Sequence, residues 1–218
     1  MQAPPERARA LLSVLVAAAT IVVIVGVSVI PFLSPVWVAF EQDRSGAAAL
    51  TGFSPEQVHA VTDDILHDLI VGPPDFAQTV AGTPVFGERE RAHLVEVRTV
   101  FIAFGAIVVL GALTLANARL LSHGADWFRR AVGAGALVLA GVVVLGGIVV
   151  ALAFEQAFEL FHSLFFASGT YTFDPTTERL VQFFPSQFWE ESSLAVGVVI
   201  LAISGVVAGW GLGSRDTT

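Results

Sequence analysis

Two of the five histidines stand where proton chemistry beside a membrane would be done. His93 lies in Glu88-Arg89-Glu90-Arg91-Ala92-His93-Leu94-Val95-Glu96-Val97-Arg98, a polar lead into an uncharged run that starts at Thr99. His162 follows a second uncharged run, eight residues past its end at Phe154. On a helix rising 1.5 Å per residue, each imidazole stands roughly 10 Å beyond its apolar stretch, so both belong at one depth, the membrane–water boundary. Glu155, Glu159 and His162 are spaced i, i+4, i+7 and share a helix face, while Glu96 follows His93 by three residues. A carboxylate on one ring nitrogen fixes the tautomer and raises the basicity of the other, which suits general acid–base catalysis. Phe154, Phe158, Phe161 and Phe165 form an adjacent stripe, with Phe166, Tyr171 and Phe173 close in sequence. An aromatic chamber with few polar groups suits acyl chains. The residues thus suggest a catalytic pair, His93 and His162, oriented by Glu96 and Glu159.

Two other readings stay open. Histidines at a membrane boundary also serve as plain interfacial residues, and a glutamate at a helix end as its solvated face. A zinc site of His93, His162 and a glutamate is the other, although no compact ligand spacing such as HExxH supports it. His59 and His67, among the acids of a polar helix, and His123 beside Gly124 read as solvated surface histidines.

Composition bounds what must position these groups. Over 218 residues, 55% are apolar and only 14% charged, whereas soluble chains carry about 25% charged. A soluble globule and a disordered chain are excluded. Cysteine is absent, which removes disulfides, thiolate metal sites, a cysteine nucleophile and a lipobox. Lysine is absent too, and Schiff-base chemistry with it. A net charge of −8 argues against nucleic acid as a partner. The fold class expected is an α-helical membrane protein with four transmembrane helices and a small extracellular α+β cap, a single membrane domain over residues 1–218. The spans fall at about residues 10–33, 99–118, 131–154 and 192–213, each close to the ~20 residues a bilayer requires. The first reads as an anchor and not a cleaved signal peptide, because its apolar stretch exceeds the ~7–15 residues of a signal core. Pro31 and Pro35 should end its helix.

Arginine placement sets the orientation. One side carries Arg7, Arg9, Arg119, Arg129, Arg130 and Arg215 against three acids, the other five arginines against sixteen acids. Both termini are therefore expected in the cytoplasm and the cap segments, 41–90 and 167–190, outside. None of the four runs contains Asp, Glu, Lys, Arg or His, which makes transport a poor fit. Gly205 and Gly209 form a GxxxG, and Gly133, Ala136, Ala140, Gly147 and Ala151 share a face, as close helix packing requires. In the first cap segment, Ser54, Pro55 and Gln57 form a capping box, and Val58, Val61, Ile65 and Leu69 line one helix face. In the second, Tyr171–Phe173 and Leu180–Phe184 read as a hairpin around Asp174-Pro175-Thr176-Thr177.

Two stretches resemble the bacterial lipoprotein intramolecular transacylases. One is His93-Leu94-Val95-Glu96-Val97-Arg98-Thr99-Val100-Phe101. The other runs from Phe158 through Phe161-His162-Ser163-Leu164-Phe165-Phe166 to Phe173-Asp174-Pro175, Arg179-Leu180, Phe184-Pro185 and Phe188-Trp189. Glu96 stands where the family usually has aspartate, Tyr171 where a tryptophan is common, and Ser168-Gly169 where the turn is more polar. The resemblance implies a bacterial cell-membrane enzyme acting on a diacylglyceryl-modified lipoprotein, with membrane lipid around it and no cofactor. The sn-2 acyl chain would move to the α-amine of the N-terminal cysteine, leaving a lyso-form. Residue by residue, it makes His93 and His162 the catalytic pair. Phe158, Phe161, Phe165, Phe166, Tyr171 and Phe173 would line the acyl pocket. Arg98 is assigned either to a polar part of the substrate or to the membrane flank. The rival from another class is a non-catalytic scaffold or sensor whose acidic cap binds a partner. A zinc-dependent membrane hydrolase is the third reading.

Overall fold

The computed structural model describes residues 6–122 and 125–213. His123 and Arg215, read above as a surface histidine and a membrane-flank charge, lie outside them. The chain is almost wholly helical: α1 (Glu6–Val29), α2 (Pro35–Arg44), α3 (Ala47–Thr51), α4 (Pro55–Ile70), α5 (Glu88–Ser122), α6 (Asp126–Leu152), α7 (Phe154–Phe165), α8 (Arg179–Phe183) and α9 (Ser186–Leu212). One two-stranded antiparallel ladder, β1 (Thr79–Val80) with β2 (Thr83–Pro84), completes the described elements. Four stretches are long and apolar enough to cross a bilayer, Glu6–Leu33, Glu88–Ser122, Asp126–Leu152 and Ser186–Leu212, and make this a multi-pass membrane protein. The described residues fall into two compact units. One comprises α1, Phe104–Ile148 and α9 from Val196; the other comprises Ile30–Ala103 and Val149–Ala195.

The first unit is packed by small residues. A Cβ placed on Gly135 would meet the Ala17 carbonyl oxygen at 2.5 Å, and one on Gly133 would meet the Gly211 Cα at 3.0 Å. Between apolar helices in lipid there is little hydrophobic gain, so backbone approach and van der Waals contact hold them together. The sequence placed that approach partly elsewhere. Gly205 and Gly209 are exposed and have open space around them; the inward ridge of α9 is Ser204, Ala208 and Gly211.

The second unit is built as a soluble domain is. Ser34 caps α2 through its side chain, after Pro31 and its neighbours have turned the end of α1 into a single 3-10 turn. The Ser54–Gln57 capping box opens α4, whose Val58, Val61, Ile65 and Leu69 bury against Phe76, Val85, Phe86, Leu94, Leu180 and Phe183. The hairpin expected at 171–184 does not form. Its turn does: the Asp174 side chain accepts from the Thr176 N–H and hydroxyl, and the Thr177 N–H donates to the Asp174 carbonyl. Beyond it the chain becomes helix α8, because Leu180 and Phe183, three residues apart, both enter the core. The one described hairpin lies instead at 79–84.

α6 also departs from expectation. It stops at Leu152, Ala153 takes φ −151° and ψ 54°, and α7 starts afresh. Composition changes at that point, from apolar all round to a helix with one polar edge and one aromatic edge.

Candidate active site

His93 sits on the second turn of α5, a helix that begins at Glu88 and continues unbroken into the apolar run. The residue is 6% exposed. His162 lies in the last turn of α7 and is half-buried. Both belong to the second unit, and their rings lie 6.3 Å apart between centroids, inclined by 29°. Phe166 packs against both, 4.8 Å from His93 and 5.6 Å from His162. Phe173 adds a contact to His93 at 5.5 Å, Tyr171 one to His162 at 5.3 Å, and Phe158 stacks on His162 at 4.0 Å. The enclosure is aromatic nearly throughout.

The two imidazoles are held differently. His162 Nδ1 donates to the Phe158 carbonyl, one helical turn back, at 2.8 Å. That bond assigns the proton to Nδ1 and leaves the Nε2 lone pair free. Burial pushes the His162 pKa below the ordinary histidine value, partly opposed by the Phe158 carbonyl and by the Glu159 charge. His93 has a carboxylate partner: its Nδ1 is 3.5 Å from Glu96 Oε2, and both atoms are buried without a hydrogen bond of normal length. The pair interacts as a charge contact and becomes a true ion pair once the ring takes a proton.

The other residues singled out from sequence are placed as follows. Glu159 accepts from the Tyr171 hydroxyl at 2.8 Å, so its carboxylate reaches His162 through the ring that packs on it. Glu155 and Glu159 line an open groove with Gln156, Leu160 and Ser163, one residue round α7 from the Phe158–His162 edge. Phe161 touches the His162 ring edge-on, while Phe165 packs on Phe161; both are half-exposed. Arg98 points elsewhere: Nη1 donates to the Asp68 carbonyl and, at 2.8 Å, to that of Gly72, capping the end of α4. No three His, Asp or Glu side chains among the described residues converge as metal ligands would. His59 pairs with Asp43, and His67 lies beside Asp68.

Sequence reasoning passed over Arg89, Glu90 and Glu178. Arg89, one turn before His93, grips Glu178 and the Thr172 carbonyl; Glu90 accepts from the Leu180 and Gly87 backbone N–H groups. The alternation Glu88-Arg89-Glu90-Arg91 was the available signal, since Arg89 shares the His93 face at i−4.

The family model for "Lipoprotein intramolecular transacylase Lit" matches residues 12–189, which include both histidine segments. Among solved structures, the membrane-integral lipoprotein intramolecular transacylase Lit from Bacillus cereus superposes with a TM-score of 0.76 at 18% identity, covering 93% of this chain and 94% of that one. A variant of the same Bacillus cereus protein with one histidine changed to arginine gives 0.72 at 18% identity, covering 94% of this chain and 91% of that one. No curated protein sequence matches the chain. With most of its length under that family model, and with the same fold as the solved Lit structures, the chain belongs to the lipoprotein intramolecular transacylase Lit family, membrane acyltransferases that modify lipoproteins.

Proposed function

We propose that this protein transfers the sn-2 acyl chain of a diacylglyceryl lipoprotein to the α-amine of its N-terminal cysteine, at the outer face of the bacterial cell membrane. Both termini then lie in the cytoplasm and the cap segments 41–90 and 167–190 outside, an orientation the arginine distribution supports. Exposed side chains of the spans such as Leu110, Leu145 and Val198 lie against membrane lipid.

The reaction exchanges an ester C–O bond for an amide C–N bond within one molecule, so no enzyme nucleophile is needed. The substrate amine arrives protonated and must first lose a proton. Neutral His162, with Nδ1 committed to the Phe158 carbonyl, offers Nε2 to take it and later releases it to water. The free amine attacks the ester carbonyl, and the tetrahedral intermediate carries one N–H proton that must leave. His93 takes that proton and hands it to the glyceryl oxygen as the C–O bond breaks. Its transient positive charge faces Glu96 at 3.5 Å. Atoms balance: an ester and an ammonium become an amide, an alcohol and one released proton. The aromatic walls confine the acyl chains and hold amine and ester together, and proximity of this kind supplies several kcal/mol of the barrier.

The observation that carries this reading is the 6.3 Å separation of two imidazoles inside one aromatic enclosure, close enough for one substrate to touch both. The test is mass spectrometry of a lipoprotein N-terminal peptide from a host that makes only the diacyl form. Wild type should yield the lyso-form, whereas His93→Ala and His162→Ala should lower the yield by about 10²- to 10⁴-fold, the usual reach of general acid–base groups. Well-expressed wild type that leaves the diacyl peptide unchanged refutes the proposal.

A further inference from the structure

We propose that Arg89 is a positioning residue for both histidines, acting through the backbone between the two aromatic rings that pack on them. The inference rests on the transacylase reading. Thr172 lies between Tyr171, against His162, and Phe173, against His93. The carbonyl of that middle residue accepts from Arg89 Nη2 at 2.7 Å. The same guanidinium takes Glu178 with both carboxylate oxygens, at 2.8 and 2.9 Å, and its centre stands 4.9 Å over the Phe173 ring. Glu178 in turn accepts from the Asp174 N–H at 2.6 Å and closes the turn that follows. The next residue along, Glu90, holds the Leu180 N–H at 2.6 Å.

One turn of α5 therefore fixes residues 172, 174, 178 and 180. That segment carries no regular structure before α8, so nothing in its own backbone ladder sets where Tyr171 and Phe173 point. Arg89 shares the helix face of His93, and any shift of the guanidinium moves the rings against both imidazoles at once. The Arg89 and Glu178 side chains are 52% and 22% exposed, and an ion pair so placed adds little to stability. Loss of rate without loss of fold is thus the signature of positioning.

The test uses the purified full-length protein in detergent with a synthetic S-diacylglyceryl lipopeptide bearing a free amine. Arg89→Gln should lower kcat by about 10- to 100-fold with KM within about threefold, because a displacement near 1 Å costs this much. Arg89→Lys, which keeps the charge but loses the fork, should fall between it and wild type. Glu178→Gln should follow in the same direction, and serves if Arg89→Gln does not fold. Arg44→Gln, which breaks the Arg44–Glu191 bond of 2.8 Å elsewhere in the unit, should leave kcat unchanged. A second readout needs no turnover: in ¹⁵N-histidine protein, the His162 titration should move up toward the ordinary value in Arg89→Gln, with His93, Glu159 and Tyr171 still around it. Wild-type kcat and an unmoved titration in Arg89→Gln overturn the proposal, as does an equal kcat loss in Arg44→Gln. An inactive wild type with a shifted titration in Arg89→Gln sinks the transacylase reading and leaves the positioning intact.

Discussion

Glycine has one use in the first unit and another in the second. At Gly133, Gly135 and Gly211 it lets helix backbones touch, and any side chain there would overlap a neighbour. At Gly46 and Gly52 it sits in open space with φ of 74° and 70°, ending the short helix α3 at either side. The contrast follows from what holds each region together. Helices surrounded by lipid gain little from burying apolar surface against one another, so they depend on close fit. The second unit has an apolar core, capped helices and side chains that satisfy backbone groups one by one: Arg98 on the end of α4, Gln42 on the Phe183 carbonyl, Arg179 on the Thr51 carbonyl. What the difference teaches is that the proposed chemistry is assigned to the region where polar groups can be paired, and not to the one where the spans pack.

Substitutions should separate the two modes. Phe183→Ala removes a ring that is 0% exposed at the centre of the second unit's core, against Phe53 and Phe86. It should cost about 3–5 kcal/mol in denaturant unfolding; a cost below about 1 kcal/mol means the region is not held by its core. Gly135→Val drives side-chain atoms into the Ala17 backbone and should cost about 1–3 kcal/mol, with turnover per folded molecule unchanged. Gly209→Ala, where space is open, should be silent in the same denaturant unfolding; equal damage at both positions breaks the contrast. Ser54→Ala deletes the cap of α4 and should cost about 0.5–2 kcal/mol, visible as earlier hydrogen exchange at its first turn.

The smallest effect concerns acid. Burial holds His162 below its ordinary pKa of 6.5, so its neutral form survives to lower pH than a free histidine's. Turnover should therefore persist as pH falls through 6.5 and fail only below it. The sign for stability is opposite to that of a histidine gaining a partner. Below 6.5 the unfolded chain binds a proton that the folded one resists, so His162 subtracts stability on the acid side and contributes no slope well above it. An acid limb of the rate profile at or above 6.5 contradicts this account.

Much of this was legible in the sequence because it depends on local pattern. Four uncharged runs, the Ser54–Gln57 cap and the apolar face of α4 each follow from spacing along one element. What failed depends on partners from elsewhere. Leu180–Phe184 is β-prone, but its helix is fixed by a distant core and by the Glu90 carboxylate at the Leu180 N–H, in its first turn. Gly205 and Gly209 match a packing motif, yet rotation of α9 faces Ser204, Ala208 and Gly211 inward instead. Glu159 was legible by its interval from His162, but its Tyr171 partner, twelve residues on, was not. Ala153 gives no proline or glycine signal for the break before α7. Arg98 and Arg89 lie nine residues apart in one lead-in segment, and only tertiary contacts distinguish the helix cap from the clamp beside the rings.

The bond from His162 to the Phe158 carbonyl stays within a single turn of α7. The ring's proton address is thus written locally, by helicity alone, with no acidic escort from another part of the chain. In the proposed reaction, sequence drift in the surrounding loops can therefore reshape the aromatic enclosure while the unbonded ring nitrogen keeps its heading.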